Sequence, residues 1–391
     1  MSWPLVKIKD VFDVARGGSP RPIQDYLTDD LDGYNWVMIG DTKKGSKYIE
    51  STAKKIRKEG LKKTRQVKPG DFLLTNSMSF GRPYIMKTSG CVHDGWLILS
   101  PKSDQIFTDY FYHYLGSEIV YNRLAGKAAG AVVKNLNKDV VKELEIPLPP
   151  LAEQKRIAAI LDKADQLRQK RQQAIALADD FLRSVFLDMF GDPVTNPKRW
   201  EVKDISDVCT DIVDCVNRTA PTVDYETPYK MIRTTNVRGY KLHLFDLKCV
   251  DKDIYEKWIR RLRPQKGDII FTREAPAGEA GIIETNDLVF LGQRTMHFRP
   301  DKHLVKPAYL LYELMGGGIK QQIRKLSSGS TVTHLSVPEC KKFKVRVPPI
   351  ELQEAFETIK LKLESIKDVK RTANELPLFN SLCQKVFSGE L

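Results

Sequence analysis

The stretch Glu145-Ile-Pro-Leu-Pro-Pro-Leu-Ala-Glu-Gln-Lys-Arg-Ile157 joins a short strand-like run to the opening turns of a helix through a Pro-Pro pair. Proline is tolerated just before a helix and at its first position, so the pair marks where one element stops and the next starts. The same join returns as Lys344-Val-Arg-Val-Pro-Pro-Ile-Glu-Leu-Gln353, with both prolines and the glutamine displaced by 199 residues. Working outward from it, Gly130-Ala-Val-Val-Lys-Asn-Leu136 matches Gly329-Ser-Thr-Val-Thr-His-Leu335 at the same offset. Lys68-Pro-Gly-Asp-Phe-Leu-Leu-Thr75 matches Gln265-Lys-Gly-Asp-Ile-Ile-Phe-Thr272, and Trp3-Pro-Leu-Val-Lys-Ile-Lys-Asp-Val11 matches Trp200-Glu-Val-Lys-Asp-Ile-Ser-Asp-Val208, both at 197. Four ordered matches at a nearly constant offset make the 391-residue chain a tandem duplication.

Each copy reads as an α/β (α+β) domain followed by a long helix. Short β-like runs such as Phe72-Leu-Leu-Thr75, Trp96-Leu-Ile-Leu99 and Ile269-Ile-Phe-Thr272 alternate with helical stretches and turn residues. The expected boundaries are 1–150 for the first domain, 151–190 for its helix, 191–199 for a linker, 200–349 for the second domain and 350–391 for the C-terminal helices. In the first helix Ile157, Ile160, Ala164, Leu167, Arg171, Ala174, Ala178, Phe181 and Val185 alternate gaps of three and four. In the second Leu352, Phe356, Ile359, Leu363, Ile366, Lys370 and Ala373 do the same, the packing seam of a coiled coil. Both seams carry a basic residue at the same place, Arg171 and Lys370, either snorkelling its charge outward or setting the register. Pro377 should kink or break the second helix. At 1.5 Å per residue the first helix makes a rod of about 60 Å. The expected architecture is a pseudo-twofold repeat in which two long antiparallel coiled-coil helices hold two α/β domains apart.

Composition narrows the partner. With 63 Lys+Arg against 50 Asp+Glu the chain carries +13, and each domain holds +6 while the helices are nearly neutral. Two equal basic modules fit a grip on one polyanion, with double-stranded DNA first. No run of 18 apolar residues exists, so no membrane span is expected. The N-terminus lacks the apolar core of a signal peptide, and six scattered cysteines without a C-x-x-C pair suggest reduced thiols in the cytoplasm.

Candidate DNA contacts follow from residue chemistry. Eleven Lys and Arg lie between Lys43 and Lys68, among them Lys44, Lys54 and Lys55, and the counterpart run of copy two includes Arg260 and Arg261. Reading bases needs paired donors and acceptors, as on Arg, Asn and Gln. Such groups lie on expected loops: Asn76, Ser77, Ser79 and Arg82; Lys134, Asn135 and Asn137; Arg233, Thr234, Thr235 and Asn236; Arg273 and Glu274; Thr333 and His334.

Catalytic signatures are missing. No P-loop, glycine-rich cofactor loop or metal-spaced His/Cys/Asp set is present, and Leu148 and Val347 precede the Pro-Pro pairs where an amino-methyltransferase places Asn or Asp. One weak alternative is a stand-alone Mg²⁺ nuclease using Asp301, Glu339 and Lys341, which copy one lacks. Another is a purely structural helical scaffold.

The Leu148-Pro-Pro-Leu-Ala-Glu-Gln-Lys-Arg-Ile157 and Val347-Pro-Pro-Ile-Glu-Leu-Gln353 helix openings, the Gly-Asp strand motifs and the closing Leu378-Phe-Asn-Ser-Leu-Cys-Gln-Lys-Val-Phe-Ser-Gly-Glu-Leu391 resemble the specificity subunit of type I restriction–modification enzymes over essentially the whole chain. The resemblance implies two target-recognition domains, each reading one half of a bipartite, asymmetric DNA sequence. It implies that the helices set the gap and dock two modification (methyltransferase) subunits, which restriction (helicase-nuclease) subunits join. It also implies no cofactor of the chain's own: S-adenosylmethionine, ATP and Mg²⁺ belong to those partners. Copy two departs from the pattern at Pro-Pro-Ile-Glu-Leu-Gln, where the Glu-Gln pair is shifted, so docking there is expected to differ in detail.

Overall fold

The computed structural model describes residues 3–43, 45–76, 81–128, 136–326, 334–371 and 375–390. Of the residues singled out above, Lys44, Ser77, Ser79, Lys134, Asn135, Thr333 and Ala373, with the side chain of Lys370, lie outside the described residues. The chain forms two compact units, one of residues 1–173 with 371–391 and one of 174–370.

In the first unit a five-stranded sheet runs in the order Phe12–Arg16, Trp96–Pro101, Phe72–Thr75, Pro83–Met86, Tyr48–Ile49. Its central strands, Trp96–Pro101, Phe72–Thr75 and Pro83–Met86, are largely apolar runs because both their faces are covered. Successive side chains point to opposite faces. Leu97 and Leu99 therefore join Phe72, Leu74 and the helical aromatics Tyr110 and Phe111, while Trp96 and Ile98 pack with Val37, Val67 and Val92 of a second five-stranded sheet. The unit closes where Leu5–Lys7 pairs antiparallel with Glu145–Pro147.

The second unit repeats this plan. Its main sheet is ordered Cys209–Asp214, Thr295–Pro300, Ile269–Thr272, Ala280–Ile282, and its closing pair is Glu201–Asp204 with Lys344–Val347. In both units one strand of the second sheet pairs in parallel, Tyr34–Val37 with Gly90–Val92 and Tyr229–Ile232 with Leu288–Leu291.

The repeated Gly-Asp motif is a turn. Asp71 N donates to Lys68 O at 3.1 Å and Asp71 Oδ2 accepts the Lys68 N–H at 2.8 Å, with Gly70 at φ +94°. Asp268 makes the same two bonds with Gln265 at the same lengths, with Gly267 at φ +98°. A third residue at positive φ is what glycine supplies without steric cost.

Three helices follow the Pro-Pro joins: α1 (Leu151–Phe190), α2 (Ile350–Arg371) and α3 (Glu375–Ser388). Pro377 stands in the first turn of α3, where proline is tolerated, and the junction of α2 with α3, on which the expected break turns, lies outside the described residues. In the first unit α1 and α3 run antiparallel: Arg168 lies over the Phe379 ring at 5.7 Å, while Ile157 and Leu161 share a core with Val386 and Phe387. In the second unit Lys367 pairs with Asp179 while Phe356 packs on Phe186 and Phe190, so α2 and α1 are antiparallel as well.

The seam differs in position from the one foreseen. Ile157 and Phe356 are buried, and Ile160, Ala164, Ile359 and Leu363 are half-buried, but Leu167 and Ile366 are 58% and 53% exposed. Phe181 also faces out, and Leu182 and Phe186 are buried instead. The inward face of α1 runs from Gln154 through Leu161 and Leu182 to Phe190, thirty-six residues or ten turns of 3.6. A strict alternation of three and four drifts from that face by about 20° per heptad. Three residues earlier, Arg168 and Lys367 form another basic pair 199 apart; Arg168 and Arg171 are both half-buried. Lys367 is 5% exposed and ion-paired, which is a buried polar contact and not a snorkelling chain.

The two glutamines after the prolines do one job twice. Gln154 Oε1 accepts the Phe107 N–H at 2.9 Å, and its Nε2 donates to Gln105 O at 3.0 Å and Pro149 O at 2.8 Å. Gln353 Oε1 accepts the Lys306 N–H at 2.8 Å, and its Nε2 donates to Leu304 O at 3.1 Å and Pro348 O at 2.8 Å. The glutamine of copy two is therefore in register, and only the glutamate has moved.

Candidate nucleic-acid interface

In the second unit, strand Ile269–Thr272 leaves the sheet where Thr295–Pro300 enters and Cys209–Asp214 ends. There a hollow of about 400 Å³ is lined by Asp214, Asn217, Arg273, Glu274, Gln293, Arg294 and His334. Backbone bonds tie three segments together at this point: Arg273 N to Arg294 O at 2.8 Å, and Leu335 N to Arg273 O at 3.2 Å. Glu274 is the polar centre. Its Oε2 lies 3.1 Å from Arg294 Nε, and its Oε1 contacts His334 Nδ1. Arg261 spends its fork on Asp214 Oδ1 at 2.7 Å and on the carbonyls of Asp214 and Cys215, while Arg273 Nη1 donates to Leu335 O at 3.1 Å. Gln293 accepts from Thr219 Oγ1 at 3.1 Å. Arg294 and Ala275 both have left-handed backbones, at φ +68° and +51°. Non-glycine residues hold that conformation only where surrounding structure enforces it, and such residues cluster at functional sites.

The first unit has the same tie at the same end of its sheet. Asn76 N donates to Gly95 O at 2.9 Å and Leu136 N to Asn76 O at 2.9 Å, matching the Arg273 and Leu335 bonds. The side chains differ. Asp94 collects Ser19 Oγ at 2.9 Å and Arg21 Nη2 at 3.2 Å, and Arg16 Nε donates to its carbonyl at 3.3 Å. Burial pushes the Asp94 carboxyl up, but the Ser19 hydrogen bond and the nearby cations outweigh it and hold the group below the ordinary aspartate value.

Of the sequence candidates, Arg273, Glu274 and His334 line the second unit's hollow and Arg261 braces its Asp214 wall. Arg82 follows the first unit's tie, its guanidinium 5.5 Å from the Tyr84 ring. Lys54 and Lys55 stand on a strand of the second sheet, where Lys55 Nζ donates to Leu31 O at 2.7 Å. Lys43 and Arg260 are exposed.

Three asparagines take part in local hydrogen bonds. Asn137 caps the helix Lys138–Lys142 through the Asp139 N–H. Asn236 is 6% exposed; its Oδ1 accepts the Arg233 N–H and its Nδ2 donates to His243 O, closing the short turn that holds Thr234 and Thr235. Asn76 is 3% exposed and donates to Asp94 O. Arg233 itself donates to Asp246 O at 3.2 Å. The nuclease candidates are also in local use: Asp301 accepts the His303 N–H at 2.9 Å, and Glu339 accepts the Ser336 N–H at 2.8 Å in a capping box ahead of Lys341. Among the described residues no group of three His, Cys, Asp or Glu is placed to hold a metal ion.

Sequence reasoning missed Asn217, Gln293 and Arg294, and in the first unit Ser19, Arg21 and Asp94. They stand alone in their segments and become a group only when the strand ends meet. A signal existed: Asp94 and Gly95 occupy the places of Gln293 and Arg294 in the duplication, just ahead of a matched strand.

A family model described as type I restriction modification DNA specificity domain matches residues 2–177 and 197–360. The sequence is 22% identical to the type I restriction enzyme MjaIX specificity subunit of Methanocaldococcus jannaschii, over 100% of this chain and 93% of that protein. It is also 22% identical to the type I restriction enzyme EcoBI specificity subunit of Escherichia coli, over 100% of this chain and 86% of that protein. Among solved structures, the type I restriction-modification system S subunit from M. genitalium shares the fold, with a TM-score of 0.55 at 15% identity over 99% of this chain and 96% of that one.

Proposed function

The chain belongs to the type I restriction modification DNA specificity family, and from that membership we infer a DNA-target specificity subunit that performs no catalytic step itself. Each unit takes one half of a bipartite, asymmetric site. The subunit assembles with two modification subunits, which methylate adenine with S-adenosylmethionine, and with restriction subunits that use ATP and Mg²⁺. The complex acts in the cytoplasm, where DNA is within reach. No helix of the described residues is long and apolar enough to cross a membrane.

The observation that carries this reading is the doubled three-segment tie: one backbone arrangement, placed at the same end of two equivalent sheets, bearing different side chains in each. A duplicated frame with unlike polar loops is suited to reading two different short sequences. The test is to replace residues 1–150 with the corresponding domain of a relative and map the bound sequence. One half-site should change and the other should stay; a change in both halves, or protection of one contiguous sequence by the parent protein, would overturn the reading.

A further inference from the structure

We propose that Arg294, aimed by Glu274, reads a guanine in the half-site bound by the second unit; the proposal rests on the DNA-specificity reading above and assigns a residue within it. Guanine offers two neighbouring acceptors, O6 and N7, in the major groove, and a guanidinium fork is their usual complement. Three arginines stand at the hollow. Arg261 has its fork committed to Asp214 and Cys215, and Arg273 is anchored on Leu335 O. Arg294 touches Glu274 through Nε at 3.1 Å, and its Nη1 and Nη2 meet no partner among the described residues.

That geometry orients the fork. The Glu274 carboxylate lies beside Nε as an ion pair and both Nη groups remain available, a donor edge that matches the two acceptors of a guanine. The Glu274 side chain is 18% exposed while that of Arg294 is 57% exposed, so the anchor is held and the reader is presented. His334 holds the other oxygen of the same carboxylate, which further fixes it. The left-handed backbone of Arg294 is the kind of enforced conformation that accompanies a positioned functional group. The equivalent place in the first unit is Gly95, which makes the same backbone tie and has no side chain to read with. Guanine dependence from this position therefore belongs to one half-site only, and the other half is an internal control. Arg294 is the contacting residue and Glu274 is a positioning residue.

The full chain, assembled with co-expressed modification subunits, is presented with a duplex library randomised over both half-sites. The unmodified protein should select guanine at one position of one half. Arg294→Gln and Arg294→Lys should each reduce that selection by roughly 5- to 150-fold and leave the other half unchanged. Arg294→Lys keeps the charge and loses the fork, so it should retain binding to unselected DNA. Glu274→Gln should weaken the same base preference without altering preferences elsewhere, a readout that a merely structural role would not move. The proposal is overturned if Arg294→Gln weakens binding to all duplexes alike while the dependence of affinity on salt falls by about one unit of slope, the mark of a phosphate contact. If the unmodified protein selects no bases in either half, the DNA-specificity reading itself fails, a different result from the loss of one position.

Discussion

Arg346 Nη2 donates to Glu313 Oε2 at 2.7 Å, and the Nη1 of the same guanidinium donates to the carbonyls of Phe190 at 3.0 Å and Gly191 at 2.9 Å. Both side chains are almost fully buried. One residue on the closing strand thus neutralises a carboxylate and satisfies the last carbonyl of α1 and the one that follows it, where a cation is favoured by the helix dipole. Arg346→Leu should destabilise the second unit by about 3–5 kcal/mol, since it leaves Glu313 as an uncompensated buried charge. Urea denaturation checks this. Adding Glu313→Leu should restore part of the loss, because the orphaned charge is then gone.

The glutamine clamps give a paired prediction. Gln353→Ala strands the Lys306 N–H and two carbonyls, and Gln154→Ala strands the Phe107 N–H and its two carbonyls. Each should cost about 1–3 kcal/mol, the penalty of unsatisfied buried groups. Hydrogen exchange at Phe107 and Lys306 should quicken in the respective variants. Similar losses in the two units would mark the clamps as equivalents.

Asp268 gives the fold a dependence on acid. Burial raises its carboxyl, but the His297 ring nitrogen 2.6 Å away and the hydrogen bonds from Arg299 outweigh that and set the group below its ordinary value of 3.8. A carboxyl depressed in the folded state contributes stability above its unfolded value, and that contribution is lost as pH falls through the folded value. The second unit should therefore be steady near neutrality and weaken below about pH 3.8. Asp268→Asn should lower stability near pH 6 and flatten the acid part of the profile, measured as denaturation midpoint against pH.

The six thiols should be slow to react in the native protein. All are free, and five are buried. Burial pushes Cys91 up to about 11, and Cys340 and Cys383 up to about 12, so thiolate is scarce at neutral pH. Alkylation should be slow when folded and fast in denaturant. Rapid labelling of Cys383 in the native state would show that α3 detaches from the first unit.

Much of this could be read from the order of residues. The duplication located the Phe72–Thr75 and Ile269–Thr272 strands, the Pro-Pro joins and the long helices, because backbone punctuation by Pro and Gly is local. The helix seam was right at Ile157 and Phe356 and went astray at Leu167, Phe181 and Ile366, which are apolar yet lie on the outer side; spacing alone cannot tell which of two apolar stripes is covered. The Gly-Asp motif was visible as a repeat, but its role as a turn depends on a side chain returning to its own backbone. The hollow was half legible: Arg273, Glu274 and His334 sit beside matched motifs. Arg294, Gln293 and Asn217 are joined to them only by the meeting of strand ends far apart in the chain.

The indole of Trp3 donates to Val386 O at 3.4 Å, so the first unit is stitched from both extremes of the chain, whereas the second is the uninterrupted run 174–370. That difference becomes a schedule during synthesis. The second unit has all its residues in hand before α3 is made, while residues 3–173 wait for it, roughly 10–40 s at usual elongation rates. Through that interval the apolar bed of Tyr110 and Tyr114 lacks its cover from Phe387. The unit whose residues are made first is therefore the one whose core is completed last.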